Sequence, residues 1–213
     1  MNTSIFVRGL ILTSAIFFMS CAGFGRIDYS RAFTRDGWQL PDRVIQELKL
    51  SPDMIVADIG AGEGYFSLKL ARAVPRGKVF AVEVTDEKVA ALKKGCGCGT
   101  PPKNHFIVEG NFKDPLLPEK VDLIFLVNTY HHIENRTAYF ANVKKYLKPG
   151  GRIATIDHKH DMTGVMRLLL TSGHWSNPTV VRKEMAAAGF RETAMRDFLP
   201  NQYFQVFEPV TVQ

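Results

Sequence analysis

The sequence predicts an α/β chain built on one mostly parallel sheet of seven strands, with helices on both faces and an antiparallel hairpin at the carboxyl end. Three observations carry that prediction. Strand-length apolar runs alternate with segments of helical period from residue 41 to residue 157, and unbroken apolar runs mark strands covered on both faces of a parallel sheet. Beyond residue 189, two strand-like runs follow each other across Leu199, Pro200 and Asn201, a link too short for anything but antiparallel neighbours. The length of 213 residues, 46% hydrophobic and 23% charged, suits one domain with a full core and small appendages.

The elements follow in order. PDRVIQELKL opens on Pro41, tolerated in a first helical turn, and aligns Val44, Ile45 and Leu48 on one face. MIVADI is a buried strand. Tyr65 to Val74 has helical spacing through Phe66, Leu70 and Ala73 and stops at Pro75; KVFAVEV, residues 78–84, is the second strand. Thr85 caps the next helix, which carries Val89 and Leu92 and ends at Gly95. HFIVEG (105–110) and VDLIFLV (121–127) are two more apolar strands, and a helix is expected from Asn135 to Leu147, ended by the K-P-G-G run. RIATID (152–157) is the fifth strand. Pro178 to Ala188 is a helix between Asn177 as cap and Gly189 as stop, and FRETAMRDF and QYFQVF form the hairpin. Such a Rossmann-like sheet binds its ligands at the carboxyl ends of its strands.

Charge excludes little. Twenty-seven Lys and Arg against 21 Asp and Glu give a formal +6, which favours acidic partners or anionic membrane surfaces. The basic residues are dispersed rather than gathered with aromatics, so nucleic acid is not an expected partner. The amino terminus stands apart from the domain. Arg8, the uncharged apolar stretch Gly9 to Met19, and the small residues Ser20, Cys21 and Ala22 have the layout of a bacterial lipoprotein signal. Residues 1–25 are therefore set aside as a signal, lipoprotein-like or membrane-anchor segment, and residues 26–213 as the domain. Lipidation at Cys21 would anchor the chain; an uncleaved anchor remains the alternative, with Gly9 to Gly25 marginal in length for a span. Arg8 and Arg26, Arg31 and Arg35 lie on opposite sides of the stretch, so charge leaves the facing side open.

Chemistry concentrates where VADIGAGEGYF closes the first strand. Gly60, Gly62 and Gly64 bare the backbone just after Asp58, and Glu83 ends the second strand some twenty residues on, a spacing at which glycines admit a nucleoside and an acid accepts its ribose hydroxyls. G-x-G-x-G after an acid differs from the G-x-G-x-x-G of dinucleotide sites. Together with Gly110-Asn111 after the third strand, Asn128 ending the fourth, L147-K-P-G-G151 before the fifth and the final hairpin, these residues make the chain resemble the class I S-adenosylmethionine-dependent methyltransferases over roughly residues 36–208. The resemblance implies S-adenosylmethionine as cofactor. It assigns Asp58, Gly60, Ala61, Gly62 and Gly64 to the methionine portion, Glu83 with the adjoining Val84 to the ribose, and Asn111 and Asn128 to the rest of the cofactor pocket, with asparagine at 111 where many members carry aspartate. The expected partner is a small-molecule methyl acceptor; oligomeric state is not fixed.

The stretch N128-T-Y-H-H-I-E-N-R136 offers the candidate catalytic residues, His131 and His132. Methyl transfer to oxygen or nitrogen gains from a base near neutrality, and with His158 and His160 after the neighbouring fifth strand, at least one residue of each pair could face the same cleft. Helix capping or loop hydrogen bonding is the equal alternative for the pair, in-line positioning alone contributes much of the rate, and a His131, His158, His160 and Asp161 metal set has the ligand types without a tight motif. Cys96 and Cys98 fit a mobile connection better than a metal or disulfide. Tyr29, Phe33, Trp38 and Gln39 either cover the cofactor cleft or pack a terminal arm; residues 162–175 form either core or a lid. A non-catalytic nucleoside-binding module, a nicotinamide oxidoreductase and a structural lipoprotein are the competing classes, the first because a lipoprotein signal points outside the cytoplasm where the cofactor is made.

Overall fold

The computed structural model describes residues 34–95, 97, 99–159 and 176–210. Cys21, Tyr29, Phe33, Cys96, Cys98, His160, Asp161 and the stretch 162–175 lie outside them. The elements are α1 (Arg35–Gln39), α2 (Pro41–Glu47), β1 (Ile55–Ile59), α3 (Tyr65–Ala73), β2 (Lys78–Glu83), α4 (Asp86–Lys94), β3 (His105–Glu109), β4 (Val121–Val127), α5 (Arg136–Val143), β5 (Leu147–His158), α6 (Pro178–Ala187), β6 (Phe190–Arg196) and β7 (Gln202–Pro209). Short 3₁₀ turns cover Tyr130–His132 and Lys144–Tyr146. The sheet has seven strands in the order β3-β2-β1-β4-β5-β7-β6. The first five are parallel to their neighbours, and β7 is antiparallel to both β5 and β6, as the hairpin signal predicts.

Alternation along the strands divides the core between the two faces of the sheet. Val56, Leu123, Phe125, Ala154 and Ile156 pack under α2 and α3 through Val44, Tyr65, Phe66 and Leu70. Ala57, Ile124, Leu126 and Ile153 pack under α5 and α6 through Tyr139, Phe140, Val181 and Met185. The expected caps are in place: the side chains of Thr85 and Asn177 accept the amides of Lys88 and Thr179.

Two local expectations are corrected. The helix after β4 ends at Val143 and tightens into the 3₁₀ turn, so Leu147 is a strand residue and the K-P-G-G run lies inside β5; Tyr146 and Leu147 share the helical spacing, but pairing of Leu147 with Val121 claims the backbone first. β3 is not a strand covered on both faces. It is the sheet's edge, and Phe106 and Ile107, on its opposite faces, are 44% and 37% exposed; the β3–β4 connection supplies no helix to cover the Phe106 face. Among the described residues no helix is long and apolar enough to cross a membrane.

Phe125 on β4 is fully buried and meets Phe66 edge-on at 5.5 Å. Phe125→Ala should therefore cost about 3–5 kcal/mol, read as a lower urea midpoint at unchanged slope.

Candidate functional site

The site is assembled where β1 and β4 end. Gly60 has φ +75°, and a Cβ there would lie 2.3 Å from Thr129 Oγ1, so the loops after β1 and β4 touch only because this residue has no side chain. The amides of Gly60 and Ala61 both donate to Val82 O, at 3.0 and 3.2 Å, folding the loop back over β2. Gly62, at φ +60°, has open space where a Cβ would project, and its amide donates to Glu83 Oε1 at 2.6 Å. Gly64 precedes α3 as its amino-terminal cap residue. Val84, half-buried, follows Glu83 out of the sheet.

Asp58 and Glu83 are each 2% exposed and stand on neighbouring strands. Burial, and then repulsion from Glu83, push the Asp58 carboxyl up to about 7, against the opposing pull of the Arg35 guanidinium and the Ser67 amide. Asp58 Oδ2 has no hydrogen-bond partner among the described residues. Arg35 reaches this end from α1, its guanidinium 4.0 Å over the Tyr65 ring, while Asp36 accepts from the Tyr65 hydroxyl. These contacts fasten α1 to the carboxyl edge, and Trp38 continues them by stacking on His158 at 6.1 Å. Gln39 is buried beside them. A bare backbone opening onto space beside two buried carboxylates, one with an unsatisfied oxygen, fits a nucleoside carrying a cationic amino-acid arm.

The histidines separate. His131 Nδ1 contacts Asp157 Oδ1 and Oδ2 at 2.8 and 3.0 Å, with the two side chains 4% and 0% exposed. An ionised carboxylate only accepts, so the Nδ1–H of His131 is the donor in this pair. Asp157 also accepts the Ser176 hydroxyl at 2.9 Å and the His158 amide at 2.8 Å, and the Ser176 and Tyr203 hydroxyls are hydrogen-bonded in turn. His132 is exposed, its ring 4.1 Å from that of His131. His158 does not share their cleft. As the residue after Asp157 on β5 it points to the opposite face of the sheet, the face of Trp38.

Asn128 has φ +53°, donates its amide to Ile156 O at 2.8 Å and accepts Gln202 Nε2 at 2.6 Å, so it ties the end of β4 to β5 and β7. Asn111 is exposed, and its Oδ1 accepts the amides of Lys113 and Asp114, both at 2.9 Å. It shapes a turn at the point where the resemblance sets the adenine. A groove of about 1520 Å³ joins that turn to the histidines, with Phe112, Lys113, His131, His132, Tyr139 and Glu184 in its walls. Of the four-residue metal set, His160 and Asp161 lie outside the described residues; among the described residues no group of three or more His, Cys, Asp or Glu is placed to hold a metal.

Sequence reading missed Asp157, Thr129, Ser176 and Arg35. A signal for the first was present: T-I-D-H closes the fifth strand on an acid, as Asp58 nearly closes the first and Glu83 closes the second.

The fold and this edge are those the resemblance to the class I S-adenosylmethionine-dependent methyltransferases leads one to expect. Residues 56–151 match a family described as a methyltransferase domain. The chain is similar to a solved S-adenosylmethionine-dependent methyltransferase from Aquifex aeolicus, with a TM-score of 0.69, 23% identity, and 85% of this chain and 96% of that one covered. It is also similar to human N-acetylserotonin methyltransferase solved with S-adenosylmethionine, with a TM-score of 0.66, 21% identity and coverage of 80% and 52%. Among curated relatives, malonyl-[acyl-carrier protein] O-methyltransferase 2 of Ilyobacter polytropus is 30% identical over 98 residues, which are 46% of this chain and 37% of that protein. The chain thus spans little more than a third of the length of that relative. Together these findings show a methyltransferase-domain sequence match over residues 56–151 and, over most of the chain, the fold of solved S-adenosylmethionine-dependent methyltransferases.

Two outcomes follow. Because the folded pKa of Asp58, about 7, lies above the usual carboxylate value, the unliganded protein binds the extra proton and loses stability as pH rises from about 4 to about 7. Asp58→Asn should remove that loss, leaving the variant the more stable at pH 8 by an amount on the order of 4 kcal/mol, measured by urea unfolding across pH. Gly60→Ala should drive its methyl against Thr129 and reduce S-adenosylmethionine affinity tenfold or more, read by calorimetry, an outcome in line with the cost of strain at a left-handed position.

Proposed function

We propose that this protein transfers a methyl group from S-adenosylmethionine by in-line displacement to an oxygen or nitrogen of a small, apolar or membrane-borne acceptor. The observation that carries the reading is the buried Asp157–His131 pair, with His131 in the same turn as Thr129, whose side chain packs against Gly60 of the glycine loop. Asp58 and the backbone of Gly60, Ala61, Gly62 and Gly64 would hold the methionine arm. Glu83, with one oxygen engaged by Gly62, would hold the ribose with its other; Val84, Asn111 and Asn128 would border the rest. When bound, the cofactor supplies a methyl group on a cationic sulfur, already electrophilic.

The work left to the chain is orientation and proton removal. Asp157 fixes the imidazole tautomer, and His131 Nε2 receives the acceptor's proton as the new bond to carbon forms. His132, exposed at the groove, orients the acceptor. Burial of the pair keeps bulk water from competing for that proton. Residues 1–25 act as a membrane tether, with lipidation at Cys21 as its form, and residues 26–213 as the methyltransferase domain.

His131→Ala should lower kcat by a factor of about a hundred or more while leaving cofactor affinity unchanged, and Glu83→Ala should weaken cofactor binding by more than about 1 kcal/mol. Calorimetry with S-adenosylmethionine and a methyl-release assay over a broad acceptor panel test both. Binding without turnover on any acceptor would favour a non-catalytic nucleoside module; NAD binding without S-adenosylmethionine binding would favour an oxidoreductase.

A further inference from the structure

The connection between β3 and β4 carries no helix, and in its place stands a tight turn. Asn111 and Asp114 pair with each other through both backbone hydrogen bonds, at 2.8 and 3.2 Å, which puts Phe112 and Lys113 at the tip. Phe112 is 69% exposed, and Leu116, just beyond the pair, 51%. This is not a loose loop whose phenylalanine could turn inward. Asn111 Oδ1 caps two amides of the turn, and Asp114 accepts from Asn142 Nδ2, Lys145 Nζ, Tyr146 Oη and the Leu116 amide at 2.6–2.9 Å. Burial alone would raise the Asp114 carboxyl, but those four donors outweigh it and hold it below the ordinary carboxylate range. A half-buried polar clamp thus holds the turn that presents an aromatic side chain to solvent, at the lip of the groove that also contains His131 and His132.

We propose that the Phe112–Lys113 turn is a lipid-docking element that seats the mouth of the acceptor groove on an anionic bilayer surface. The proposal rests on the methyltransferase reading and on the amino-terminal tether, and it names the acceptor class as an amphiphile taken from the membrane plane. The path of the chain supports it. The apolar stretch ends at Gly25, and residues 26–33 span at most about 30 Å when fully extended. They lead into Thr34 and α1, which is pinned to the carboxyl edge of the sheet through Asp36, Arg35 and Trp38. A tether in the bilayer therefore holds that edge, and with it the turn, near the lipid headgroups. Lys113 beside Phe112 pairs a cation with an apolar anchor, as interfacial contacts do, and the chain's formal +6 has the sign an anionic leaflet attracts.

The test uses the full chain reconstituted into vesicles of phosphatidylcholine and phosphatidylglycerol whose acyl chains carry bromine, a short-range quencher of indole fluorescence. Phe112→Trp is compared with Val210→Trp, a position 49% exposed just beyond β7, one strand in from the edge opposite β3, with the emission of Trp38 and Trp175 subtracted using the parent chain. Quenching of the residue 112 reporter at least twice that of the residue 210 reporter, with a blue-shifted emission, is expected. Equal quenching at the two positions, or failure of the full chain to partition into the vesicles, overturns the proposal. S-adenosylmethionine binding measured on the same samples separates the two readings: lost binding with differential quenching intact sinks the methyltransferase assignment, and retained binding with equal quenching sinks only the docking.

Discussion

The chain leaves β1 towards one face of the sheet and β4 towards the other, although the two strands lie side by side and parallel. A crevice must open where neighbouring parallel strands send their crossovers in opposite directions, and in this protein the glycine loop and the histidine turn form its two walls. Gly60 packs against the side chain of Thr129, two residues before His131, where a Cβ would lie 2.3 Å from Oγ1, so the spacing of the two loops is set by packing at the ends of the strands.

Three buried carboxylates share this edge, and each is stabilised differently. Glu83 is braced by the Gly62 amide, and Asp157 is surrounded by three donors, from His131, Ser176 and His158. Asp58 is left with an unsatisfied oxygen and is driven towards its neutral form by burial and by Glu83. A buried acid without compensation costs stability; a cationic ligand beside it recovers that cost. The unliganded protein is less stable than its fold permits at Asp58, where a positively charged molecule would offset the cost.

The opposite treatment appears in the β3–β4 connection. There the polar clamp around Asp114 is complete, and the residue left poorly placed is apolar, Phe112 at the tip. The same crossover leaves β3 with half-exposed Phe106 and Ile107. Omission of a helix there uncovers the Phe106 face of the edge strand and leaves the groove that runs from the turn to His131.

By itself the sequence determined the order and type of most elements, because strand and helix periodicities, caps and stops are local properties. Asp58, the glycines and Glu83 were legible for the same reason: each sits at a fixed offset from the end of its own strand. Tertiary structure alone decided the rest. That Asp157 partners His131 depends on which face of β5 it takes and on how β5 lies against β4, a contact between residues 26 positions apart. That Leu147 joins a strand rather than a helix depends on Val121 being there to pair with it. Periodicity reports what a segment prefers alone; partners brought from elsewhere in the chain settle which preference is expressed, since hydrogen bonds and burial across the sheet outweigh local propensity.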